Sequence, residues 1–153
     1  MNQKNALNNL AAHAYRIAKE KATKALTIAG VMLETQTKIN FKANTQYGTG
    51  ATAATIISVV IKDEKAIVCK VGSPSKVFAF REFGTSPHRT NTGSEEFVES
   101  ITMWGKRQGM SDDEIAGVIY HIRKYGTKPK PVLYPAFYEL KGKIMETIKE
   151  GLK

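Results

Sequence analysis

The 153-residue sequence predicts an α+β fold: a long N-terminal helix and a C-terminal helix packed on an antiparallel β-meander, with a peripheral helical hairpin. Three observations carry this. Apolar residues recur at steps of three and four near both ends of the chain. Two β-branched runs, TIISVVIK and AIVCKV, stand either side of the charged turn Asp63-Glu64-Lys65. A stretch between Ser94 and Gly126 carries the start and stop signals of two successive helices. The length suits one domain, divided into a long helix (1–38), a meander (55–85), a hairpin insertion (94–126) and an extended arm with the last helix (127–153).

In the first helix, Leu7, Leu10, Ala14, Ile17, Ala18, Ala22, Ala25, Ala29 and Met32 form the apolar stripe. Its alanines suit close approach to another element, and Gly30 is its weak point. About 35 residues at ~1.5 Å each would reach ~50 Å, too long for a compact domain of this size. Part of the helix is therefore expected to project, which implies either a partner subunit or fraying at the Asn-rich start. Phe41–Ala54 reads as a loop. Its Gly48-Thr49-Gly50 lacks the following Lys-Ser/Thr and the leading strand of a phosphate loop.

In the first strand Ile57, Val59 and Ile61 share one face, and Ile56 and Val60 the other. Such a strand should lie under the long helix on one side and against something else on the other. Gly72–Lys76 then turns into a third strand, Val77–Thr85, VFAFREFGT, in which Phe78 and Phe80 share a face. Gly84 permits positive φ, and Ser86-Pro87 ends the strand. Glu82 stands between two aromatics at this break. Its carboxylate is either solvated at a strand end, paired in the interior, bound to turn amides, or turned toward a neighbouring subunit.

His88–Gly93 is polar and turn-like. Ser94 opens a helix with Glu95 and Glu96 in its first turn and Phe97, Ile101 and Trp104 as its stripe, weakened from Gly105 to Gly109. Ser111-x-x-Glu114 is a capping box for the next helix, where Ile115, Val118, Ile119 and Ile122 face inward and Arg123, Lys124 and Gly126 close it. As a DNA reader this pair would present Asp113 and Glu114 to phosphate, so a packed hairpin fits better. Lys128–Pro135 is extended, and Pro135 serves as first residue of a last helix striped by Phe137, Leu140, Ile144 and Ile148.

Net charge is +9, distributed as +5, 0 and +4 over residues 1–50, 51–100 and 101–153. Basic ends suit nucleic acid, an acidic protein surface or plain solvation. No apolar run reaches a membrane span, and the start of the sequence has no secretory apolar region, which leads to the expectation of a cytoplasmic product. The single Cys69 excludes an intrachain disulfide and reads as a small core residue. His13, His88 and His121 fall on separate elements without ligand spacing, and no catalytic constellation assembles. Neither an enzyme nor a cofactor or metal site is expected.

In order and spacing, VFAFREFGT, the helical pair ending in RKYGTKPKPVLYPAF and the amphipathic last helix resemble the small tail-component family of tailed bacteriophages. These are described as tail-completion, neck or head–tail joining proteins. The family pattern appears here as Thr49-Gly50, Phe80 with Glu82-Phe83-Gly84-Thr85, and Pro131-Val132-Leu133 with Pro135-Ala136. Val132 departs from it, standing where an aromatic is common.

The resemblance implies a virion structural protein, or its prophage-encoded copy, made in the host cytoplasm. Such a protein assembles into a ring with itself and with adjacent neck or tail proteins. It marks Phe80, Glu82, Phe83, Gly84, Thr85, Pro131, Leu133 and Pro135 as assembly contacts. The alternative is a small basic DNA-associated protein. Lys106, Arg107, Arg123, Lys124, Lys128 and Lys130, at helix ends and in the arm, are the bases that would meet DNA weakly and without sequence preference. Otherwise they solvate the hairpin edge or pair with acidic neighbours.

Overall fold

A computed structural model of the chain describes residues 3–44, 50–63, 65–87 and 94–153. In chain order the elements are α1 (Gln3–Ala43), α2 (Ala51–Ala54), β1 (Ile57–Lys62), β2 (Ile67–Gly72), α3 (Lys76–Phe83), α4 (Glu95–Arg107), α5 (Asp112–Tyr125) and α6 (Leu133–Leu152). The fold is α+β, with α1 packed against α6 and an antiparallel hairpin, and with α4 paired to α5. The chain forms two compact units. The first holds residues 1–40, 56–72 and 133–153; the second holds 41–55 and 73–132.

In the first unit α1 and α6 run antiparallel. Lys21 donates to the Lys153 carbonyl, Thr147 Oγ1 approaches Met32 Sδ, and Gln36 donates to Glu139. The small residues of the α1 stripe allow this approach. Ala25 and Ala29 are buried, and a Cβ built on Gly151 would lie 2.6 Å from Ala25 Cβ. From α6 this seam takes Ala136 and Ile144.

β1 and β2 pair from Ile57↔Gly72 to Lys62↔Ile67. The face bearing Ser58 and Cys69 meets α1 at Gly30, where a Cβ would stand 2.5 Å from Cys69 Sγ. Gly30 is thus a point of close packing rather than a weak point. The Ser58 N–H and hydroxyl both donate to Glu34 Oε2 at 2.7 Å, fixing the hairpin on the helix. Lys38 holds the other carboxylate oxygen at 2.6 Å. The Asp63 N–H bonds the Ala66 carbonyl at 2.8 Å, so the turn lies where the charged triplet predicts it; Glu64 lies outside the described residues.

Three sequence expectations need correction. Among the described residues the sheet has two strands, not the three of the expected meander. Lys76–Phe83 is helical: Phe78 and Glu82, four residues apart, are its buried pair, while Phe80 is 41% and Phe83 79% exposed. A strand would have put Phe78 and Phe80 together. The alternating aromatics fit either period over so short a run, and Ser75 before it and Gly84 after it serve as helix caps. Second, Phe41–Ala54 is only partly loop. α1 continues through Ala43, Phe41 stacks on Phe78 with ring centroids 6.3 Å apart, and α2 forms after Gly50. Residues 45–49 of that stretch, including Gly48-Thr49, lie outside the described residues, as does the whole of the turn-like stretch 88–93. Third, α6 begins at Leu133, so Pro135 is its third residue. Proline is tolerated there because first-turn N–H groups have no intrahelical acceptor.

The second unit contains the predicted helical pair. Ser94 caps α4 by accepting from the Phe97 N–H, and Ser111 and Glu114 form the complete capping box of α5. α4 runs straight through Gly105, where a Cβ would lie 2.5 Å from Ile115. The missing side chain lets α5 pack closely. No described helix is long and apolar enough to cross a membrane.

Candidate assembly site

Glu82 is 8% exposed, and its carboxylate accepts the Val132 N–H at 2.7 Å. Val132 is fully buried immediately before α6. Of the readings open for Glu82, the structure shows a buried carboxylate bound to a main-chain amide within the chain. A charge-assisted bond of this kind is stronger than a neutral one and ties the end of α3 to the end of the arm. Next to it Arg81 lies over the Phe41 ring at 5.2 Å and donates to the Asn44 carbonyl. Burial draws its pKa down. The Arg81 carbonyl receives the Lys130 N–H at 2.8 Å.

Between these contacts the chain makes a junction that sequence reasoning did not join. α3 ends Phe83-Gly84-Thr85-Ser86-Pro87 and α5 ends Tyr125-Gly126-Thr127-Lys128-Pro129, the same aromatic-Gly-Thr-x-Pro pattern twice. Both glycines cap their helix in nearly identical backbone conformations, φ 70 and ψ −173 for Gly84 and φ 72 and ψ −162 for Gly126. This region belongs to glycine. The two threonines then form an antiparallel bridge, each N–H donating to the other's carbonyl at 3.0 Å, with their hydroxyls 3.0 Å apart. Each glycine lies against the opposite strand of the bridge, leaving no room for a side chain. The repeat was the available signal. Read singly, GTSPHR and GTKPKP look like two flexible arms.

Beside the junction a groove of about 670 Å³ opens against α3, α5 and the arm. Phe80, Ile122, Tyr125 and Pro129 supply apolar surface, and Arg81, His121, Lys128 and Lys130 supply basic groups. His121 packs on the Tyr125 ring at 4.9 Å.

The six candidate basic residues fall on three segments: the end of α4, the end of α5 and the arm. Lys106 and Arg107 end α4, beside Gly105 and its contact Ile115. Lys106 stands 3.8 Å from Asp112, and Arg107 donates to the Met103 carbonyl. Arg123 and Lys124 end α5, about two and a half turns beyond Ile115, with Lys128 and Lys130 following in the exposed arm. Lys124 donates to the Tyr120 hydroxyl at 3.1 Å and lies over the Tyr120 and Tyr125 rings. The Tyr120 hydroxyl chiefly raises its pKa. Pro131 and Pro135, marked with Leu133 as assembly contacts, are exposed, and Leu133 is half-buried. Among the described residues no His, Cys, Asp and Glu group is placed to hold a metal ion.

The first unit shows a different feature. α1 buries one stripe toward α6 and a second face toward the hairpin, yet carries a third apolar line. Ile28, Val31 and Ile39 are 50–55% exposed at steps compatible with one helix face. Leu7 and Leu10, in the first stripe, are 65% exposed. The outer hairpin face is equally open, with Ile57, Val59, Ile61 and Val68 all 43–51% exposed. The Ile57/Val59/Ile61 face was legible in the sequence; the Ile28/Val31/Ile39 line was not singled out. No known protein family, curated protein or solved structure matches the chain.

Proposed function

We propose that the protein is a structural component of a tailed phage or prophage that assembles into a ring with copies of itself and with neighbouring neck or tail proteins at the head–tail connection. The supporting observation is the doubly open first unit, in which both α1 and the hairpin present β-branched apolar faces to solvent. A helix apolar on three sides is one built to be covered. Covering the seven half-exposed residues Ile28, Val31, Ile39, Ile57, Val59, Ile61 and Val68 would contribute on the order of 7 kcal/mol, about 1 each. Association costs a comparable amount. Self-association through these faces alone is therefore weak, and the ring is completed on its neighbours.

Sedimentation velocity over a concentration series tests the first step. Reversible oligomers are expected, lost in Ile28→Lys with Val31→Lys while the monomer's helical signal persists. A strictly monomeric wild type at high concentration, in particles and out, would overturn the reading. Removing the gene from a phage that carries it is expected to leave filled heads and separate tails. Normal joined particles would refute the placement.

A further inference from the structure

We infer that the groove beside the Thr85–Thr127 bridge is a docking site for an extended acidic segment of a partner protein, held by one apolar or aromatic side chain. The site is distinct from the open faces of the first unit and does not depend on self-assembly. The inference rests on the composition of the wall and on its rigidity.

The wall alternates the two chemistries that such a segment needs. Phe80, 41% exposed, and Tyr125, 57% exposed, flank an apolar floor completed by Ile122 and Pro129. Lys128 and Lys130 stand around it as the outward charges, with Arg81 and His121 in the wall, and among the described residues no carboxylate lines the groove. The neighbouring Glu82 carboxylate is buried and turned to the Val132 N–H. An occupant therefore meets positive charge around an apolar slot, which favours acidic residues flanking a hydrophobic anchor. A volume of about 670 Å³ accommodates an aromatic side chain with its neighbouring backbone.

The walls are also held in place before any partner arrives. The arm is fixed by the Lys130 N–H to the Arg81 carbonyl and by the bridge, and α5 ends at the glycine that the bridge encloses. Two prolines, Pro129 and Pro131, limit its freedom further. A preformed wall lowers the ordering cost of binding an extended segment. Single-stranded nucleic acid also uses aromatic and basic groups. It is disfavoured here because Arg81 is turned inward to the Asn44 carbonyl and His121 is packed on Tyr125, leaving Lys128 and Lys130 as the outward charges.

The test uses the full chain and three fluorescein-labelled probes: the peptide Asp-Glu-Asp-Phe-Asp-Glu-Asp, the same peptide with Ala for Phe, and an oligothymidylate. Fluorescence anisotropy is expected to show saturable binding of the Phe peptide, weakened roughly tenfold by the Ala replacement. Lys128→Glu with Lys130→Glu should weaken it by about the same factor or more, with unchanged circular dichroism because both side chains are exposed. Phe80→Ala should weaken the Phe peptide alone, and amide shifts on binding should centre on Tyr125 and Thr127. Equal affinity for the Phe and Ala peptides, no binding, or binding untouched by the double variant overturns the proposal. Tighter binding of the oligothymidylate through the same residues would also overturn it, assigning the groove to nucleic acid.

Discussion

Gly126→Ala tests the junction's contribution, with Gly109 as a comparison that shares its positive φ and lacks its contacts. Both residues have φ near +75, at 72 and 75 respectively. Gly109 follows α4 in a Schellman arrangement, with the Met110 N–H on the Gly105 carbonyl and the Gly109 N–H on the Lys106 carbonyl, each 3.0 Å. A Cβ there meets nothing within 4 Å, so Gly109→Ala costs only the left-handed backbone penalty, about 1 kcal/mol. At Gly126 a Cβ would overlap the Thr85 carbonyl, which is itself held in the bridge. Relief requires opening the bridge, with two main-chain hydrogen bonds at about 1 kcal/mol each, in addition to the backbone penalty. The total is about 3–4 kcal/mol. Urea titration followed by Trp104, the one tryptophan and a member of the second unit, measures both. With a slope of about 1–3 kcal/mol/M, the Gly126→Ala midpoint should fall about 1 M or more below that of Gly109→Ala. Hydrogen exchange at the Thr127 amide should accelerate in Gly126→Ala alone. Equal midpoints for the two variants would show that the bridge contributes nothing.

Glu82→Ala removes the carboxylate acceptor of the buried Val132 N–H and should cost about 3 kcal/mol, whereas Glu82→Gln keeps an acceptor and should cost about 1 kcal/mol; identical melting of both variants and wild type would contradict this. Lys38 first, then Ser58, hold the Glu34 carboxyl below the usual glutamate range. With the folded pKa depressed, the stabilisation is full above the unfolded pKa and lost as pH falls through the folded one. Unfolding midpoints should therefore drop on the acid side, starting as the pH falls through the ordinary glutamate range and continuing below it, and Glu34→Gln should flatten that drop; parallel profiles would refute the assignment. The separation of Lys106 and Arg107 from the other four bases limits DNA contact. A plot of log affinity for duplex DNA against log salt should have a slope no steeper than about −4, since four phosphates give about −3.6 and six about −5.4. A slope beyond −5 would mean the six bases act as one surface.

The elements with strong local signals were legible in the chain. The Ser111/Glu114 capping box, the Ser94 cap and the β1–β2 turn are each specified within four residues by hydrogen bonds the side chains or turn must make. The α1 stripe was legible as a helix because it repeats over many turns, but it is covered only from Ala22 to Met32; Leu7, Leu10, Ala14, Ile17 and Ala18 of the same stripe are exposed. α3 was not, because eight residues with aromatics at 78, 80 and 83 satisfy both periods, and the deciding fact is tertiary: Phe78 meets Phe41 and Glu82 meets Val132. The Glu82 environment was visible as an oddity, a carboxylate between aromatics at a glycine, but its partner lies fifty residues away. The groove escaped for the same reason. Arg81, His121 and Lys130 are brought together by a bridge between residues 85 and 127, whose signal in the chain is a repeat forty-two residues apart rather than any single local pattern.

That bridge gives the α4–α5 insertion a closed neck. The chain leaves the Thr85 position, builds two helices and returns at Thr127, where four contacts between the threonines seal the exit. Within the neck α4 packs on α5 through Gly105 and Ile115. A segment closed in this way can be removed without pulling on its surroundings, since the loop-closure entropy is met at the bridge and depends only slowly on length. Excising residues 87–125 and joining Ser86 to Gly126 through Asn-Gly keeps both threonines, in a short antiparallel turn. The shortened protein should retain the Glu82–Val132 bond and melt within about 2 kcal/mol of wild type in its first unit, where none of the excised residues lies. On the proposed readings it should also keep the self-association of the full chain, because Ile28, Val31 and the hairpin face are untouched, yet lose the acidic peptide along with His121, Ile122 and Tyr125. Loss of self-association with an intact fold would move the assembly surface from the first unit to the insertion, and the ring would have to be rebuilt around α4 and α5.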